Sequence, residues 1–254
     1  MIKDIVGLKN RSKIVMLTGY DYQTAAIMSR CPVDLILVGD TLGVVFQGND
    51  STHTVTMEEM LYHTRAVVRG AGQIPVIGDM PIHTYDTPQA GLAHARRFVE
   101  AGAAAVKLEG YNPGLVAHIV RAGIPVMGHL GLLPQTAANY KVVGKDPTQA
   151  ARLKSDAALL AAEGAFSIVL ECVPESLARE ITAAVNVPTI GIGAGVYCDG
   201  QVLVINDLLG MDTSVPAKFV KRYADLASVI AAAVTRYADE VRTAVYPDER
   251  HTYH

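Results

Sequence analysis

The chain carries little that would tie it to a membrane, a nucleic acid or a zinc-type metal site. Its three cysteines, Cys31, Cys172 and Cys198, are far apart and odd in number. They form no metal-binding spacing, and free thiols in a reducing compartment are the simplest reading. Net charge is −3 with no long basic run, which argues against nucleic acid or a membrane surface as a partner. The most apolar helical segment, 229–234, is far too short to span a bilayer. The opening MIKDIVGLKN lacks the apolar core of a signal peptide. A soluble, cytoplasmic protein is expected. No linker, low-complexity tract or change of composition interrupts the 254 residues, so one domain over 1–254 is expected, ending in a long helical segment.

What is present is apolar material. Half of the residues are hydrophobic and 19% are charged, enough for a large core and too little charge for disorder. Short β-rich runs alternate with helical patterns. Strands are predicted at 13–19, 34–40, 74–80, 105–110, 124–131, 167–172, 187–193 and 201–207. Most are continuously apolar, as in a parallel sheet buried on both faces. Helices are predicted at 56–70, with Thr56 as N-cap and Glu59 three positions on, at 87–102 with a Thr-Pro start, and at 173–185. A further stretch, 216–245, reads as one long helix or two joined ones. Eight strands alternating with helices predict a (β/α)8 TIM barrel. An open doubly wound sheet is the alternative, but no glycine-rich turn follows the first strand. Two polar connections, 41–56 and 132–148, are long enough to suggest function.

The charges fall at one end of these strands. Asp40 closes the second and Asp79 the third. Lys107 and Glu109 lie on the fourth, His129 ends the fifth and Glu171 the sixth. Any one acid taken singly reads as a helix cap. Together, at the end where such barrels place their active sites, they point to chemistry. Several converging acids repel unless a cation joins them. The oxygen-only set Asp40, Asp79 and Glu109 suits a hard cation such as Mg²⁺. Lys107 and Glu109 are two apart on a strand and so share a face. Lys107 is then placed to meet an anionic substrate, or else simply to pair with a neighbouring acid. Glu171, between Leu170 and Cys172, is expected in a more apolar surround than the other acids, which would raise its pKa as a general base needs. His129 is a candidate for polarising an oxygen, or a satisfied strand-end histidine. The GIGAG cluster at 191–195 either cradles a phosphate or permits close packing.

Ten ordered motifs add a resemblance: TGYDY (18–22), LVGDTLG (37–43), QGNDST (47–52), VKLEG (106–110), GHLGLLPQ (128–135), YKVVG (140–144), LECVP (170–174), IGIGAG (190–195), DGQVLV (199–204) and the terminal YPDERHTYH. Together they resemble the ketopantoate hydroxymethyltransferase family. The resemblance implies a barrel of the phosphoenolpyruvate/pyruvate superfamily. It also implies one Mg²⁺ per subunit, 5,10-methylenetetrahydrofolate as one-carbon donor, 3-methyl-2-oxobutanoate as acceptor, and a homo-oligomer, typically a decamer. Carried over by motif, the metal ligands are Asp40, Asp79 and Glu109. The 2-oxo acid is held by Asp40 with Thr41, by Asp79 and by Lys107, with His129 nearby, and the base is Glu171. Thr41 stands where the family often has serine, and Asn49 where histidine is usual. DMPIHTY (79–85) replaces a more apolar stretch, and the loop between Gln135 and Tyr140 is short. The rivals are another metal-dependent enolate enzyme of the superfamily, a Schiff-base aldolase using Lys107, and a non-catalytic barrel.

Overall fold

The computed structural model describes residues 2–137, 139, 141–211 and 216–254. Ala138 and Tyr140, which belong to the predicted loop at 132–148 and the second of which opens the YKVVG motif, lie outside the described residues. Two compact units divide the chain, one over 1–204 and one over 205–254.

The first unit is a closed barrel of eight parallel strands. These are β1 (Ile14–Thr18), β2 (Leu35–Val38), β3 (Val76–Asp79), β4 (Ala105–Glu109), β5 (Val126–Gly131), β6 (Ser167–Glu171), β7 (Thr189–Ile192) and β8 (Gly200–Leu203). β1 pairs with both β2 and β8, which closes the ring. The expectation of an eight-stranded α/β barrel holds, and seven of the strands lie inside the predicted ranges.

The eighth strand corrects its prediction. The run 201–207 was read as one strand, but the strand is Gly200–Leu203 and a helix, Ile205–Leu209, follows it. An apolar run does not mark where a buried strand gives way to a helix. The polar connection at 41–56 also holds a short helix, Leu42–Val45, whose Leu42 and Gly43 are buried.

Helix starts follow local chemistry. In α1, Ile2–Val6, the buried Ile5 joins the core of strand side chains. The next helix, α2 (Tyr22–Met28), is capped by Asp21, whose carboxylate accepts from Thr24 N–H at 2.8 Å. With the short helix above counted as α3, α4 (Met57–Gly70) begins in a capping box. There Thr56 Oγ1 accepts from Glu59 N–H at 3.3 Å, and Glu59 accepts from Thr56 N–H at 2.7 Å. α5 (Pro88–Glu100) has the expected Thr87 cap and Pro88 start. α6 (Leu115–Arg121), α7 (Pro147–Ala162) and α8 (Glu175–Ala184) complete this unit. α2, α6 and α7 were not among the predicted helices.

Alternation along the strands separates core from shell. Ile14, Met16, Leu35, Leu37, Ile77, Met127, Val169 and Val202 belong to one buried cluster. Two glycines of the alternate set let helices approach closely. A Cβ on Gly78 would lie 2.2 Å from Phe98 Cδ1 of α5, and one on Gly128 would lie 2.8 Å from Leu160 Cδ1 of α7. The residues after them, Asp79 and His129, project to the opposite face.

The second unit contains α9, the Ile205–Leu209 helix already described, and α10 (Leu226–Arg242), which starts at Asp225. α10 is a single helix shorter than the predicted 216–245. No helix among the described residues is long and apolar enough to cross a membrane.

Gly78→Ala is expected to cost about 1–3 kcal/mol through overpacking. Phe98→Leu in the same chain should recover part of that loss. Denaturant unfolding of the two single variants and the double variant checks the coupling.

Candidate active site

Seven residues singled out from the sequence line one cleft: Asp40, Thr41, Asp79, Lys107, Glu109, His129 and Glu171. The cavity in the cleft measures about 50 Å³, smaller than typical small-molecule sites. Its apolar wall includes Leu37, Val169, Ile192 and Val202.

Strand register explains the convergence. Asp79 of β3 pairs with Lys107 of β4. Glu109, two residues on, pairs with His129 of β5. Gly131, two further on, pairs with Glu171 of β6. Each step around the barrel rises by two residues, so side chains of the same facing set climb from Asp79 to Glu171. Asp40 and Thr41 enter from the turn directly after β2.

The charges are deep. Lys107 Nζ donates to Asp79 Oδ1 at 2.6 Å and lies 3.9 Å from Glu109 Oε1. These three side chains are 3–5% exposed. Burial pushes the Asp40 carboxyl up to about 8, with Asp79 adding to the effect. Asp79 is raised as well, chiefly by burial, although Lys107 opposes this. Burial would lower Lys107, but Asp79, Glu109 and Asp40 outweigh it and hold the ammonium charged. For Glu109, burial is likewise outweighed, here by His129 and Lys107, and its carboxyl lies below the ordinary range.

His129 stands between two carboxylates. Nδ1 is 3.4 Å from Glu109 Oε1 and Nε2 is 3.3 Å from Glu171 Oε2, looser than well-formed hydrogen bonds. Burial opposes its charging, yet the two acids push it up to about 9. Glu171 corrects one expectation. Its side chain is 15% exposed, the most open of the site acids, and not the one in the driest surround.

Several groups were missed. Gln135, in the loop after β5, donates from Nε2 to Asp40 Oδ2 at 2.8 Å. Tyr85 donates its hydroxyl to Gln135 Oε1. Tyr20 and Thr41 share a hydroxyl contact of 2.6 Å, and Thr18 lines the cleft. Gln135 lay in a quoted motif, GHLGLLPQ, which was the only signal for it. The glycines at 191–195 take the packing alternative. A Cβ on Gly195 would lie 2.4 Å from Glu175 Cγ, and one on Gly191 would lie 3.0 Å from Cys198 Sγ. Asn49 donates to Gln47 Oε1 and Thr54 Oγ1, both at 2.9 Å, within its own turn.

Comparison with known proteins places the chain in a family. The family model for ketopantoate hydroxymethyltransferase matches residues 1–249. The chain belongs to the ketopantoate hydroxymethyltransferase family. It is 52% identical over 257 residues to the 3-methyl-2-oxobutanoate hydroxymethyltransferase of Nitratidesulfovibrio vulgaris strain DP4, covering 98% of this chain and 84% of the relative. It is 50% identical over 250 residues to the enzyme of the same name from Pyrobaculum neutrophilum, covering 96% and 95%. Like other ketopantoate hydroxymethyltransferases, it is an enzyme that transfers a hydroxymethyl group. Solved structures with the same fold include a phosphonopyruvate hydrolase complex with oxalate and magnesium, at TM-score 0.64, 11% identity and coverage of 98% and 92%. Another is 2,3-dimethylmalate lyase, a member of the phosphoenolpyruvate mutase/isocitrate lyase superfamily, at TM-score 0.61, 16% identity and coverage of 99% and 91%. These likenesses show a shared barrel fold.

Removing the ammonium should expose how much this family member depends on it. Lys107→Met is expected to destabilise the fold by about 3–5 kcal/mol near neutral pH, because it strands buried carboxylates. Without Lys107 the Asp40 and Asp79 carboxyls, already raised, rise further above their unfolded values. The deficit should therefore shrink as pH falls from about 8 to about 5 and protons remove the charge. Denaturant unfolding in EDTA at both pH values checks the sign.

Proposed function

We propose that the enzyme moves a one-carbon unit from 5,10-methylenetetrahydrofolate to C3 of 3-methyl-2-oxobutanoate, giving ketopantoate for pantothenate synthesis. The observation that carries this reading is the placement of a deeply buried Lys107 and a more open Glu171 in one acid-lined cleft.

Asp40, Asp79 and Glu109 would hold Mg²⁺. The donor set is all oxygen, as that ion prefers. Asp79 adds to the raising of Asp40, a repulsion that a divalent cation would relieve. Among the described residues no three acidic, histidine or cysteine side chains are set to hold an ion as they stand. Lys107 occupies Asp79 Oδ1 and Gln135 occupies Asp40 Oδ2, so an ion would take the other oxygen of each. Bound there, Mg²⁺ would supply positive charge that draws electrons from a keto group and acidifies the adjacent C–H.

The protein's own groups do the rest. Lys107 presents its ammonium to the substrate carboxylate. The Thr41 hydroxyl, tethered to Tyr20, contacts a substrate oxygen beside Asp40. Leu37, Val169, Ile192 and Val202 receive the branched alkyl group and keep water away from C3. Glu171 takes the C3 proton. His129, whose Nε2 lies 3.3 Å from its Oε2, orients that carboxylate until it acts. C3 then bonds to the methylene carbon, whose bond to N10 has opened, and N10 receives the proton that Glu171 took. Water displaces N5 from that carbon, supplying the hydroxyl oxygen and giving a proton to N5, and tetrahydrofolate is released.

With Mg²⁺ and no folate, the native enzyme should exchange the C3 hydrogen of 3-methyl-2-oxobutanoate in D₂O, followed by proton NMR. Glu171→Gln should slow exchange by about 10²–10⁴-fold, and EDTA should stop it in the native enzyme. A Glu171→Gln protein exchanging at the native rate would remove Glu171 from this role.

A further inference from the structure

Gln135 has no part in the steps above, yet it sits among the carboxylates and is 1% exposed. A buried amide needs partners for two donor hydrogens and for its carbonyl oxygen. Here every one is met. Nε2 donates to Asp40 Oδ2 at 2.8 Å and to the Met80 carbonyl at 2.9 Å. Oε1 accepts from the Tyr85 hydroxyl. The backbone N–H of the same residue donates to Glu109 Oε2 at 3.1 Å. The Tyr85 hydroxyl in turn accepts from the Glu109 backbone N–H at 3.3 Å.

These contacts leave the amide one orientation. Its NH₂ faces two acceptors and its carbonyl faces a donor. Turned over, the carbonyl would meet the Asp40 carboxylate and the Met80 carbonyl, and the NH₂ would meet a hydroxyl already committed elsewhere. One residue thus fixes one oxygen on each of two carboxylates. Asp40 Oδ2 is held by the side chain and Glu109 Oε2 by the main chain. The other oxygen of each remains to be offered. On Glu109 that is Oε1, the atom facing Lys107 and His129.

We propose that Gln135 is a positioning residue for a divalent cation. It selects which oxygens of Asp40 and Glu109 are presented, and Tyr85 sets its orientation. The inference rests on the cation reading above but adds a function for two residues outside the ligand set. Partners that orient metal-ligating carboxylates carry effects on affinity of about 10- to 100-fold. A residue that merely filled space would instead act through folding.

The test uses the full chain and reads Mn²⁺ binding by electron paramagnetic resonance without substrate, beside the Mg²⁺ dependence of the initial rate. Gln135→Met keeps the side-chain length and removes the amide. It should weaken Mn²⁺ binding about 10-fold or more. The Mg²⁺ concentration for half-maximal rate should rise by a similar factor, while kcat at saturating Mg²⁺ changes far less. Tyr85→Phe should shift both quantities in the same direction by a smaller factor. Thermal unfolding in EDTA reports whether each variant is folded, and if Gln135→Met is not, Tyr85→Phe decides the matter. Native-like Mn²⁺ affinity in folded variants would overturn the positioning role while leaving the cation reading intact. No Mn²⁺ binding by the native chain would overturn both.

Discussion

A single ammonium, that of Lys107, lies buried against Asp79 and near Glu109, with Asp40 close enough to feel its charge. In a medium of low effective dielectric none of these charges tolerates isolation. One cation leaves a surplus of carboxylate, and Asp40 is pushed up to about 8, chiefly by burial and further by Asp79. That surplus gives the cleft its chemical character. It disfavours a lone anion. His129, pushed up to about 9, adds a second positive group on the next step of the barrel.

The staggered register turns this electrostatic problem into a directional site. Asp79 faces Lys107, Glu109 faces His129, and Gly131 faces Glu171, each pair two residues further along than the last. Charge of alternating sign therefore runs along an incline from the dry interior to the open side. The proposed base, Glu171, stands at the top of the incline, where a proton can leave. Apolar side chains adjoin it, since Val169 precedes it by two residues on β6 and Ile192 is its register partner on β7, so oily and polar groups share the cleft.

Much of this was legible from the chain. Acids at the ends of apolar runs stand out because burying them is costly, and the parallel barrel brings such ends together. Lys107 and Glu109 shared a face as a two-residue spacing on a strand requires. Gln135 and Tyr85 were not legible in the same way. They sit in loops without periodicity, and an amide or a phenol reveals no electrostatic conflict until its partners are in place. The surround of Glu171 was misread for a different reason. Leu170 and Cys172 adjoin it in sequence, but neighbours in a strand point to opposite faces, so their apolar character says nothing about its own side. The end of β8 was obscured by an apolar run shared between strand and helix. α2, α6 and α7 left weaker patterns than the helices that were predicted.

The close approach of Phe98 to Gly78, and of Leu160 to Gly128, reaches beyond packing. Each glycine is covalently joined to a residue of the cleft, Asp79 in one case and His129 in the other. The helix layer is thus packed directly against the backbone that carries two groups of the polar wall. Bulk added on α5 or α7 would press on the strands at Asp79 and His129 without touching either side chain.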